Sequence, residues 1–236
     1  MKSFRTVAGL LLIGMSFAVG YTLRGVAAAG STDQPQASAE KLPADIDPGS
    51  RSRLPSVKRE ALDPEAQKLY DNATKGVRSA AGLRGPSGIR LHDPRLAVLM
   101  EPSAEYIRFD SKLGQPLTQV AMLVTAREMN CWFEWNGHEK QAKDAGVDQS
   151  VIDAIKYRKP LTGIGEKEAA IIQLGREDFE QHQVSSDTFA RALKLLGKEN
   201  LVSMLAVMGH QADTALLLTA FNQQLGPGEK ALLPMP

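Results

Sequence analysis

The chain has one cysteine, Cys131, among 236 residues, and aromatic residues make up only 6% of it. A lone thiol excludes an intrachain disulfide, a zinc ribbon and a Cys-x-x-Cys redox pair. Alternating Val, Ile and Thr runs of strand length are also scarce, so nothing marks a sheet. Charge of one sign is missing as well: 28 Lys and Arg face 27 Asp and Glu, a formal net charge of +1. A dedicated nucleic-acid binder carries a basic excess, and none is present. Metal-ligand spacing is absent. His138-Glu139 begins like a zinc-protease helix, but Ala142 stands where the second histidine belongs, and His92, His182 and His210 show no ligand spacing. Gly85-Pro86-Ser87-Gly88 is not a Gly-x-Ser-x-Gly elbow, and no Gly-Lys-Ser/Thr follows the glycine-bearing loop at 82–88.

What the chain does contain is 43% hydrophobic and 23% charged residues, the composition of a globular protein. Ala, Leu, Glu, Gln, Lys and Met dominate, which favours helix. The first residues read as an address. Lys2 and Arg5 precede the uncharged stretch Thr6–Leu23, and Ala27-Ala28-Ala29 offers a small-residue cleavage site. Residues 1–29 are therefore expected to be a signal peptide, or a membrane anchor over 6–23 if uncleaved, and the body to be exported, periplasmic or extracellular. Lys2, Arg5 and Arg24 are the charged residues of that segment, so the remainder is slightly acidic. It has no electrostatic reason to bind nucleic acid or an anionic membrane. Residues 30–53, rich in Ser, Pro, Ala, Asp and Gln, read as a flexible lead-in, 54–226 as the globular domain, and 227–236 as a tail.

Helix signals recur through the domain. Asp63-Pro64 and Asp93-Pro94 each place an N-cap before an N1 proline, Pro102 is expected to kink or divide the second helix, and Gln115-Pro116 opens a third. That third pattern is read as continuing through Cys131 to Ala145-Gly146. Further helices are expected at about 148–157, 166–182, 186–196 and 199–224, with Gly197 between the last two. The apolar stretch Leu201–Phe221 has the length of a membrane span, but His210, Gln211 and Asp213 at its centre would be costly in lipid. It is expected to be a core or subunit-interface helix. The fold class is thus all-α, a single-domain helical bundle.

The densest chemistry runs from Asn130 to His138. On a helix, Cys131, Glu134 and His138 fall at i, i+3 and i+7 and project from one face. Trp132, Phe133 and Trp135 flank them and would close a dry pocket, raising the pKa of Glu134 and tuning His138 as a proton carrier. The same spacing also describes an ordinary Glu/His surface contact, and a free cysteine is often a small buried hydrophobe.

The stretch LTQVAMLVTAREMNCWFEWNGH at 117–138, followed by Ala142 and Ala145-Gly146, resembles the signature helices of the carboxymuconolactone decarboxylase-like family, which also contains the alkylhydroperoxidase D type of peroxidase. The resemblance extends from Arg53-Leu54-Pro55, through residues 83–89, to Ala220-Phe221. It implies an all-α bundle of the alkylhydroperoxidase D-like type, assembled as a homo-oligomer such as a trimer or hexamer, with active sites near subunit contacts. The peroxidase branch uses two cysteines, a histidine and a glutamate on the preceding helix. Cys131 and His138 match the first cysteine and the histidine, Glu134 stands at the second cysteine, and Gln119 stands at the glutamate. A disulfide cycle within one chain is then impossible. The decarboxylase branch needs no thiol, metal or organic cofactor. The expected protein is therefore a cofactor-free acid/base enzyme acting on a small carboxylated or lactone substrate. His138, Glu134 and Cys131 are the expected catalytic residues, and Gln119, Trp135 and Trp132 the expected substrate contacts. The alternatives are a one-cysteine thiol peroxidase using Cys131, or a non-catalytic binding protein on the same fold.

Overall fold

Nine consecutive residues of one helix, Thr118 to Ala126, are buried, and this helix organises the rest. The computed structural model describes residues 42–75 and 82–234. The address segment 1–29 and the first half of the lead-in, 30–41, lie outside them. Among the described residues there are eight α-helices and no strand: α1 (Pro64–Thr74), α2 (Pro86–Arg90), α3 (Pro94–Glu105), α4 (Gln115–Glu128), α5 (Trp132–Asp144), α6 (Gln149–Lys156), α7 (Glu166–Arg176) and α8 (Ser186–Ala220). Helix α4 is apolar on every side, so it sits inside, against α5, α6, α7 and α8. Its two threonine hydroxyls are satisfied locally: Thr118 donates to Gly114 O at 2.9 Å and Thr125 to Ala121 O at 3.0 Å. At Gly175 of α7 a Cβ would lie 2.4 Å from Val124 Cγ1, so glycine there allows α7 to approach α4.

The caps follow the sequence. The Asp63 carboxylate accepts from the N–H groups of Glu65 and Ala66, and Asp93 from that of Leu96, each before an N1 proline. Pro102 lies inside α3 without ending it, and the chain instead widens into a π-helical turn at Tyr106–Asp110. A second π turn, Glu177–Gln181, extends α7. The loop expected at 82–88 contains the start of the short helix α2. Gly197 breaks α8 with φ 76° and ψ 167°, backbone that only glycine adopts at ease.

One expectation needs correction, and the ends of the domain pack further than composition marks. The helix read as running through Cys131 is two helices. Asn130 takes a left-handed φ of 48°, its N–H donates to Arg127 O, and Cys131 N–H donates to Ala126 O at 2.8 Å. That is a Schellman stop with asparagine at C′, so Cys131 becomes the N-cap of α5 rather than part of a helical stripe. The domain also begins before residue 54. Ser50, Arg51 and Ser52 are buried, Arg53 N–H donates to Phe221 O, and Gln224 N–H donates to Arg51 O. Residues 227–234 also pack onto the domain: Leu233 is buried, and Asn136 of α5 exchanges hydrogen bonds with Lys230 O and Leu232 N. Composition does not reveal these contacts because at least one partner in each bond is a backbone group, which any sequence offers.

Among the described residues α8 alone is long and apolar enough to cross a membrane. Here its buried face, including Leu201, Met204, Val207 and Met208, packs on α4 and α7.

Candidate functional site

The Schellman stop at Asn130 turns α5 back along α4, and the i, i+4 spacing of Glu134 and His138 then places both on one face of α5. Both are buried, as are Gln119 of α4 and Gln211 of α8. His138 Nε2 lies 3.2 Å from Glu134 Oε2. His138 Nδ1 lies 2.9 Å from Gln119 Oε1, and Gln211 Nε2 donates to Glu134 Oε2. The Gln119 amide is oriented by its other end, where Nε2 donates to Gln141 Oε1 at 3.4 Å.

This chain fixes the proton count. Gln119 presents a carbonyl oxygen, which only accepts, so His138 Nδ1 carries a hydrogen. Nε2 of a neutral ring would then face the Glu134 carboxylate acceptor to acceptor. The contact is favourable only when one proton lies between them, as an imidazolium facing a carboxylate or a carboxylic acid facing an imidazole. Burial raises the pKa of Glu134, but the hydrogen bond and charge of His138, the Gln211 amide and the charge of Arg108 outweigh it, leaving the carboxyl below its ordinary range. This reverses the direction expected from the sequence, where a dry pocket alone would have raised Glu134. Gln211, 77 residues away in sequence, is the donor that sequence spacing could not supply.

Glu134 and His138 open onto a groove of about 860 Å³, bordered by α2, α3 and its π turn, α5, α8 and the C-terminal segment. That volume suits a small ligand. Five basic side chains line it, Arg84, Arg90, Arg108, Lys140 and Lys230, against the acids Glu101, Glu134 and Glu229. Arg90 is held by Asp213 Oδ2 and Thr214 Oγ1, each at 2.7 Å. Lys140 is likewise paired with Asp144 Oδ2 at 2.6 Å, so part of the basic lining is neutralised from within the chain.

The other expected site residues stand apart from this groove. Gln119 does not line it; it sits behind His138 as a positioning residue. Trp135 is fully buried in the main core, where its Nε1 donates to Glu139 Oε2 at 2.6 Å, and Lys156 and Lys143 complete the carboxylate's partners at 2.9 and 2.8 Å. Trp132 is not in the lining either; Phe109 and Phe133 are the aromatics that face the ligand space. Cys131 is 2% exposed, packed with Ile89, Ala215 and Leu218. Burial, and next the Glu134 carboxylate, push its thiol up to about 12 against the smaller effect of the Phe133 and Glu134 backbone N–H groups. His210 of α8 lines the groove beside Gln211, a placement that its position in the sequence, without ligand spacing, does not signal. Among the described residues no cluster of three or more His, Cys, Asp or Glu side chains could hold a metal ion. The chain matches no protein-family model and no curated protein.

Proposed function

We propose that the protein is a cofactor-free acid/base enzyme of the carboxymuconolactone decarboxylase-like kind, acting on a small carboxylated substrate bound in the groove. The observation that carries this reading is the Gln119–His138–Glu134–Gln211 chain, which stores one proton at the edge of a cation-lined cavity. A substrate carboxylate would be drawn in by the arginines. In a decarboxylation the bond from carbon to carboxylate breaks, its electron pair enters the neighbouring π-system as an enolate, and carbon dioxide leaves. His138 then delivers its proton to the carbanionic carbon, and solvent returns one proton to the pair. Glu134 holds the imidazolium ready and Gln211 keeps Glu134 ionised.

The thiol peroxidase alternative asks Cys131 to be a thiolate in contact with peroxide, and a buried thiol near 12 that does not line the groove argues against it. Turnover of carboxylated lactones, followed by carbon dioxide release, tests the proposal. His138→Ala is expected to lose on the order of 10²–10⁴-fold in rate, whereas Cys131→Ser keeps most of it. Hydroperoxide reduction that Cys131→Ser abolishes would overturn the reading. The same proposal takes the protein as exported and as a homo-oligomer. Val202, Leu205 and Leu216 on α8 are 68%, 37% and 63% exposed, apolar surface that a second copy would cover. Light scattering at micromolar concentration is expected to give a multiple of the monomer mass; a strict monomer counts against assembly.

A further inference from the structure

His210 occupies an unusual position. It is partly buried and lines the same groove as Glu134 and His138. Its neighbours along α8 are all engaged: Gln211 donates to Glu134, Thr214 Oγ1 donates to His210 O at 2.9 Å, and Arg90 reaches Asp213 and Thr214. The imidazole itself makes no hydrogen bond to any described residue, so an N–H donor is presented to the ligand space. Its ring nitrogens are not among the buried atoms left without a partner, so they stay accessible to whatever enters the groove.

We infer that His210 is a second catalytic residue of this groove, donating a hydrogen bond to the substrate oxygen on which negative charge builds as carbon dioxide departs. The inference rests on the acid/base reading of His138 and Glu134. Its surroundings suit the role. Burial comes first, then the charges of Arg90 on α2 and Arg108 on the π turn, and these hold the ring's pKa down to about 4 against the opposite pull of Asp213 and Glu134. His210 is consequently a neutral donor beside two guanidinium groups. A neutral imidazole is too weak an acid to give up its proton, so it stabilises an enolate oxygen without changing the proton count. His138 remains the group that protonates carbon. The two imidazoles differ in their neighbours: a carboxylate beside His138, with which it can share a proton, and arginines beside His210.

The test uses the full chain and the chromophoric oxyanion 4-nitrophenolate, with uncharged 4-nitrotoluene of similar shape as its control, both titrated at pH 8.5. His210→Ala is expected to weaken 4-nitrophenolate binding at least tenfold and to leave 4-nitrotoluene binding within about twofold. His210→Gln, which keeps an N–H donor, is expected to restore most of the phenolate affinity. In lactone turnover His210→Ala is expected to lower kcat by on the order of 10²–10³-fold with little change in KM, the usual effect of one lost oxyanion donor. Phenolate binding that is absent in the wild type or unaffected by His210→Ala would overturn the inference, as would equal weakening of both probes. Failure of the underlying acid/base reading is seen separately: His138→Ala would then leave lactone turnover intact while the His210 effect on phenolate binding persisted.

Discussion

A thiol reacts through its thiolate, and Cys131 holds almost none: with a pKa near 12 the ionised fraction at pH 7 is on the order of 10⁻⁵. Incubation with iodoacetamide at pH 7.5 is therefore expected to leave Cys131 unmodified by mass spectrometry for hours in the native protein, and to label it within minutes in guanidinium. Rapid native labelling would revive the thiol chemistry. The difference between Cys131 and its neighbours also shows how much of the site was legible. Glu134 and His138 could be paired from sequence because an i, i+4 relation is local and survives in any helix. Cys131 could not be separated from them without recognising Asn130 as a helix stop, although asparagine at C′ is a recognised signal for one. Trp135 looked like a pocket wall but is a core residue, because an indole N–H buried beside Glu139 finds its partner within the same helix. Gln211 and His210 were visible only as polar residues that an apolar stretch ought not to contain. What they pair with, or leave free, depends on α8 packing across the chain from α5, which no local spacing encodes.

At the level of elements, caps and breaks were the legible part. Asp63, Asp93 and Gly197 act in the structure as the sequence indicates, since each exploits a backbone property of its own residue type. The π turns were not legible, and one of them positions Arg108 and Phe109 at the groove. The other presents Glu177 to the start of α8. Its carboxylate accepts from Thr188 Oγ1 at 2.6 Å, Gln173 Nε2 at 2.9 Å and Ser185 N at 2.8 Å. Those bonds, Thr188 first and Gln173 second, bring its pKa from an ordinary 4.5 down to about 2. A carboxylate depressed in the fold stabilises the native state fully above its unfolded value and loses that contribution as pH falls through the folded one. The window is therefore about pH 4.5 to 2. Glu177→Gln is expected to be less stable than the wild type in urea unfolding at pH 7, with the gap closing toward pH 2. A gap independent of pH would show that Glu177 acts by packing alone.

For the whole molecule, the two ends of the domain matter more than composition suggests. Ser50, Arg51 and Arg53 bond to the segment from Ala220 to Leu225: Gln223 Nε2 donates to Ser50 O and Arg51 O at 3.1 Å each, Arg51 Nε donates to Leu225 O, and Arg53 Nη1 donates to Ala220 O at 2.7 Å. This clasp ties the entry of the chain to the exit of α8, the helix that carries His210 and Gln211. Beyond it, Glu229, Lys230 and Leu232 form part of the groove's rim, fixed to α5 through Asn136. Cutting the chain to 54–226, the span composition alone defines, removes both contributions. Cutting it to 42–234 keeps them. The shorter form is expected to unfold at a lower urea concentration, because Gln223 Nε2 loses two of its three acceptors and Leu225 O loses Arg51 Nε, and a buried polar group left unpaired costs about 1–3 kcal/mol. A form ending at 226 but starting at 42 isolates the rim: it is expected to stay folded by circular dichroism while binding 4-nitrophenolate more weakly, since Lys230 and the wall beside it are gone. Equal urea midpoints for 54–226 and 42–234 would mean that the clasp contributes nothing to stability. Unchanged phenolate affinity in 42–226 would place the ligand deeper, against α5 and α8 alone, where the proton-storing pair and His210 meet.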